Sequence, residues 1–156
     1  MEKSEKNFLE KFADMIPGLS GYRARDDRRE TDKRLREHLA ARLEKARDRL
    51  TAVKLQLTNE GNLAALNGVG LVDRKLQAAT EGLRFASYGY SGLFDQMKVK
   101  EEQLDQLYAH DLKIASAVEA VEGAFEGAAY DAAMATGAVQ SLEDLLAARK
   151  RLWDAP

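Results

Sequence analysis

Hydrophobic residues recur at alternating intervals of three and four positions in three long segments of the chain. The first repeat consists of Leu39, Leu43, Ala46, Leu50, Val53 and Leu57. The second consists of Val69, Val72, Leu76, Ala79, Leu83 and Ala86. An average interval of about 3.5 residues is typical of helices that pack side by side as coiled coils. The pattern therefore predicts long α-helices, each with one apolar stripe.

The first two repeats mirror each other about Gly61. Folding the chain back at this glycine brings Leu43 opposite Ala79 and Leu50 opposite Val72. Glycine readily adopts the left-handed conformation that ends many helices. The mirror predicts an antiparallel helical hairpin over residues 27–86.

The third repeat predicts another helix over residues 100–128. Its members are Leu107, Asp111, Ile114, Val118, Val121, Phe125 and Ala128. Asp111 is the polar exception, and a buried carboxylate needs a partner. Packing this helix antiparallel on the second one places Asp111 beside Ala79, within reach of Arg42. We interpret Asp111 and Arg42 as a structural polar layer that fixes register; solvent exposure and a functional acid are the alternatives.

Shorter helices are expected at both ends of the chain. Residues 4–16 form an amphipathic pattern. Gly137 is expected to interrupt the chain before a last helix over residues 141–153, which begins with Ser141 in a capping sequence. Four further leucines would widen the stripes: Leu35, Leu55, Leu66 and Leu71. The fold class that follows is a single all-α domain, an antiparallel coiled-coil-like bundle of three to four helices with a short N-terminal amphipathic helix.

Composition bears on the cellular compartment of the protein. The 156 residues include no cysteine and no long apolar run, and the beginning of the chain does not resemble a secretory signal. These features favour a cytoplasmic protein. Net charge is −2, yet residues 101–146 carry ten acidic side chains and one basic one.

Motifs for catalysis and cofactor binding are not found in the sequence. It has no nucleophile elbow, phosphate-binding loop or dinucleotide-binding glycine motif. His38 and His110 lack the spacing of helical metal sites, and we interpret them as ordinary helix-surface residues. We expect a non-enzymatic protein with no cofactor, metal or small-molecule substrate.

An aromatic cluster interrupts the helical pattern at residues 87–95. Phe85, Tyr88, Tyr90 and Phe94 lie within ten residues, among glycines and serines. Aromatic side chains provide large contact areas at low entropic cost, which suits a surface that binds a partner. They are equally suited to closing one end of the bundle.

A basic run offers a second interaction surface. Arg23, Arg25, Arg28 and Arg29 are candidate anion contacts for a nucleic acid or the ribosome. Four acidic residues are interleaved over residues 23–36, which favours a solvated helix face instead.

Two resemblances add to this interpretation. An amphipathic helix before a long hairpin resembles the layout of membrane-stress scaffolds of the phage-shock-protein-A type. The segment Phe85-Ala86-Ser87-Tyr88-Gly89-Tyr90-Ser91-Gly92 resembles one in small bacterial helical proteins of no assigned activity. The functional expectation is a scaffold or interaction module that binds another protein or itself. Membrane-surface and nucleic-acid binding are the alternatives.

Overall fold

The computed structural model describes residues 28–85, 101–126 and 130–154, together with Lys11 and Asp14. Four helices make up nearly all of this part, and it contains no strand. We number them α1 (Arg28–Asn59), α2 (Leu63–Phe85), α3 (Glu101–Phe125) and α4 (Ala132–Asp154). The predicted all-α fold class is confirmed. The expected helix over residues 4–16 lies outside the described residues, except for Lys11 and Asp14, which are helical and exposed.

The turn between α1 and α2 forms where the mirror pattern predicts it. Gly61 has a φ of 70°, in the left-handed region. Its amide donates to the Thr58 carbonyl at 3.1 Å, and the Asn62 amide donates to the Leu57 carbonyl at 3.0 Å. These two bonds form a Schellman motif, which satisfies the last carbonyls of α1. The Asn62 side chain then caps α2 by accepting from the Ala65 amide at 3.2 Å.

Every neighbouring pair of helices in the bundle runs antiparallel. α1 packs against α2 and α3, and α4 packs against α3 and α2. Lys75 on α2 reaches Gln140 on α4, while Arg42 on α1 bonds Glu122 on α3. Together with the α3–α4 turn, these cross-links require α3 to run opposite to α1. Phe85 and Glu101 consequently lie at opposite ends of the bundle.

The predicted repeats supply most of the large side chains of the core. Leu39, Leu43, Leu50, Leu76 and Leu83 are almost fully buried. The described apolar members of the third repeat join them, and α4 adds three buried residues: Ala135, Val139 and Leu142. Val53 and Leu57 are half-buried near the α1–α2 turn. One stripe from each of the four helices therefore forms one hydrophobic core.

Two expectations about helix placement are wrong. α3 packs on α1 and α4 rather than folding back along α2. The last helix begins at Ala132, not near Ser141, because the Asp131 carboxylate caps it by accepting from the Met134 amide at 3.0 Å. Gly137 lies within this helix rather than interrupting it, since its cost of about 1 kcal/mol is small beside the burial of neighbouring Val139.

The end of α2 is held by a buried arginine. Arg36 is 4% exposed, and its guanidinium donates to the Leu83 carbonyl at 3.0 Å. The last carbonyls of a helix lack intrahelical partners and carry partial negative charge, so a cation there is stabilising. Arg36 thus ties α1 to the end of α2 near Phe85.

Replacing Gly61 tests the turn. Gly61→Ala should lower the free energy of unfolding by about 1 kcal/mol, because alanine is strained at positive φ. Gly137→Ala is the matched control, since a Cβ meets open space at both positions but only Gly61 has a positive φ. That control should be neutral or stabilising. Urea denaturation of both variants measures the difference, and equal stability of the two variants would contradict the strain argument.

Candidate functional site

The polar layer forms around Asp111 with a partner other than the predicted one. Arg149 on α4 donates from Nε to Asp111 Oδ1 at 2.7 Å, and both side chains are only 5% exposed. Arg42 instead pairs with Glu122 on α3. The predicted Asp111–Arg42 layer is therefore wrong, because α3 follows α1 in a register that brings Glu122 to Arg42. The buried Asp111 is a structural element that joins α3 to α4.

The two histidines are half-buried and contact other side chains or the backbone, whereas the sequence predicts ordinary helix-surface residues. His110 is half-buried, and its Nε2 lies 2.6 Å from the Leu145 carbonyl oxygen, which makes it a second link between α3 and α4. His38 is half-buried beside Arg42 and Glu122. Burial lowers the pKa of His38, Arg42 lowers it further, and Glu122 partly offsets both. Neither histidine belongs to a group of three or more potential metal ligands in the described part of the chain.

A polar groove beside α1 is one place for a ligand. It is lined by Ala41, Glu44, Lys45, Arg47, Asp48, Thr51 and Asp73. Asp73 accepts from Arg47 Nε at 2.8 Å and from Lys54 Nζ at 2.7 Å. Burial raises the pKa of Asp73, but these two hydrogen bonds outweigh it, and the pKa is lowered overall. The charges of the groove therefore largely compensate one another.

The predicted anion contacts are only partly described. Arg28 and Arg29 lie in the first turn of α1, and Arg23 and Arg25 lie outside the described residues. Farther along α1, basic side chains are used within the bundle, as Arg42 and Arg36 show. Arg36 and Arg42 therefore serve contacts between helices.

Among the side chains that the structure describes, α2 has more large exposed apolar residues than any other helix. Leu63, Leu71 and Phe85 are 70%, 49% and 64% exposed. Along the outer face of α2 a second repeat of four and three runs through Ala64, Gly68, Leu71, Lys75, Ala78, Gly82 and Phe85. We call these seven residues the α2 outer stripe. The expectation that Leu71 and Leu55 widen the buried stripes is therefore wrong, because the first stripes of α2 and α1 already fill the core.

Two glycines of the α2 outer stripe are not required by packing within the described part of the chain. A Cβ at Gly68 or Gly82 would meet no atom within 4 Å. Each glycine costs about 1 kcal/mol relative to alanine in a helix interior. Their small size leaves the backbone of this face open to close approach.

The aromatic segment meets the α2 outer stripe at Phe85. Of the four candidate contacts, Phe85 alone is described; Tyr88, Tyr90 and Phe94 lie outside the described residues. The other six residues of the α2 outer stripe were not predicted as a surface from the sequence. Its signal was present in the spacing of Ala64, Leu71, Ala78 and Phe85, but the glycines between them suggested a loose helix rather than a surface.

Comparison with known proteins gives no family assignment. No family model matches the chain, and no curated protein or solved structure is significantly similar to it. None of the described helices has an apolar stretch long enough to cross a bilayer.

Substitution of the buried ion pair tests its structural role. Asp111→Leu should lower the free energy of unfolding by about 3–5 kcal/mol, because it leaves a buried guanidinium without its carboxylate. The double variant with Arg149→Met should regain most of the lost free energy of unfolding, since two apolar side chains need no polar partner. Glu44→Ala, which breaks an exposed pair with Arg84, should change stability little. Thermal and urea unfolding give the comparison; a single variant as stable as the double variant would refute it.

His38 should make stability depend on pH. Its folded pKa is below its ordinary value, so the unfolded chain takes up the proton first as pH falls. The stabilising contribution of neutral His38 is therefore fully present above the ordinary histidine pKa. It is lost as the pH falls from that value toward the lower pKa of the folded state. His38→Gln should therefore lose less stability than wild type between about pH 7 and about pH 5. Urea titrations at both pH values measure this, and parallel losses would count against the assignment.

Proposed function

We propose that this protein is a non-enzymatic helical interaction module that binds a protein partner through the α2 outer stripe. The carrying observation is the exposure of Leu71 and Phe85 on the same helix face. Large apolar side chains grouped on a surface mark interaction sites in soluble proteins, whereas single ones need no explanation.

The shape of the face supports a protein helix as its ligand. Apolar side chains at intervals of three and four residues match the groove-and-ridge surface of another helix. Gly68 and Gly82 leave room for side chains of such a helix to approach the backbone. The polar residues beside the stripe, Arg74 and Glu81, would remain at the rim.

The buried titratable groups support a structural rather than a catalytic role. Asp111 is paired with Arg149 in the core. His110 contacts the Leu145 carbonyl oxygen, so both groups join α3 to α4 instead of gathering in an open cleft.

Site-specific cross-linking tests this proposal. A photo-activated phenylalanine analogue placed at Leu71 should give a discrete adduct in native lysate. The same analogue at Leu55 is the matched control, because that leucine is 63% exposed on the outer side of α1. Adducts are separated by mass. A pattern at position 71 that is no stronger than that at position 55 would contradict a binding role for this face.

A further inference from the structure

We propose that the α2 outer stripe binds the same stripe of a second copy of this chain, with the two α2 helices antiparallel about a two-fold axis. The inference rests on the proposed function and names its partner. A two-fold axis makes each contact occur twice, so one surface must be complementary to itself. The α2 outer stripe meets this condition in shape and in charge.

Large residues of the stripe fall opposite glycines in one antiparallel register. In an antiparallel coiled coil, each position of the four–three repeat faces a position of the same repeat on the other helix. In the register that we propose, Leu71 of one copy lies opposite Gly82 of the other. In the same register Phe85 lies opposite Gly68 of the second copy. Both glycines have open space where a side chain would be. The two largest side chains of the stripe thus enter its two smallest positions.

The charges beside the stripe select the same register. Arg74 of one copy is placed next to Glu81 of the other, and symmetry repeats the pair. Arg74 is exposed and makes no hydrogen bond or ion pair in the described part of the chain. Glu81 accepts only a weak bond from Gln77 Nε2, at 3.3 Å. Both groups are therefore available for opposite charges across the interface.

Competing arrangements are less favourable. A parallel pair would set Lys75 against Lys75 and glycine against glycine. In the antiparallel register Lys75 lies beside Ala78 of the second copy instead. Its ammonium group is already placed by Gln140 at 3.1 Å and Glu143 at 3.7 Å on its own α4. The lysine stem can then cover apolar surface while its charge remains satisfied.

The size of the contact sets its expected strength. In this register the facing parts of the two stripes run from Gly68 to Phe85, roughly 26 Å at about 1.5 Å per residue. Two helices in contact over this length bury less area than a standard stable interface. The dimer should therefore be reversible, with association in the micromolar range or weaker.

Sedimentation equilibrium of the full chain, from micromolar to near-millimolar concentration, tests the dimer. Wild type should show a monomer–dimer equilibrium. Leu71→Glu should raise the dissociation constant by roughly tenfold or more, which corresponds to about 1.4 kcal/mol. Leu55→Glu, the matched change on α1, should leave it unaltered. Circular dichroism verifies that each variant keeps its helices. A wild-type chain that is monomeric throughout, or equal effects of the two variants, would overturn the proposal.

A charge exchange tests the register itself. Arg74→Glu and Glu81→Arg should each weaken self-association, because each brings like charges together. The two single variants mixed should form a heterodimer, since every pair then joins opposite charges. The double variant should dimerise as wild type does. Native mass spectrometry identifies the species; a mixture that forms no more heterodimer than a random exchange of subunits would refute the antiparallel register.

The two proposals fail in different ways. If wild type is monomeric but the analogue at Leu71 cross-links a different protein, self-association is wrong and the interaction module stands. If neither a dimer nor a specific adduct forms, both are wrong.

Discussion

Burial of one narrow apolar stripe from each of four helices is the constraint on which this structure depends. The stripe of α1 faces both α2 and α3, and α4 closes the remaining side by packing on α2 and α3. Because Leu39, Leu43 and Leu50 are essentially inaccessible, the hairpin and the second helix pair stabilise each other. The antiparallel direction of all neighbours also brings opposite ends of helix dipoles together. The four helices thus share one hydrophobic core, and neither helix pair buries its apolar stripes alone.

Polar groups inside the bundle specify which helices are neighbours. Arg36 connects α1 to the end of α2, and the Asp111–Arg149 pair connects α3 to α4. Such buried groups add little net stability when paired, but they penalise any arrangement that separates them. The Tyr130 hydroxyl, the one buried side-chain polar atom without a partner among the described residues, lies near Phe125 at the α3–α4 turn. Burial raises the pKa of Tyr130, which keeps that hydroxyl neutral.

A second stripe on α2 separates this helix from the others. Its inner face serves the core through Leu76 and Leu83, while its outer face presents Leu71 and Phe85. The glycines on the outer face weaken the isolated helix, and no side chain in the described part of the chain packs against them. One apolar stripe of α2 is buried in the core, and the second is the surface that we propose for association with another chain. The position of Phe85 makes this surface continuous along the sequence with the aromatic segment.

The sequence by itself determined three of the four described helices to within a few residues, the hairpin turn at Gly61 and most residues of the core, because these depend on local spacing and on the backbone freedom of one glycine. It also placed Asp111 correctly among buried positions. Only the tertiary structure decided that α3 packs on α1 and that Arg149 is the partner of Asp111. Identical four–three repeats can pair in several ways, and the distinction depends on contacts between residues far apart in the chain. The candidate site could not be predicted from the sequence, because it too depends on contacts between residues far apart in the chain. Leu71 follows a valid core spacing, and only the position of the neighbouring helices left it on the surface.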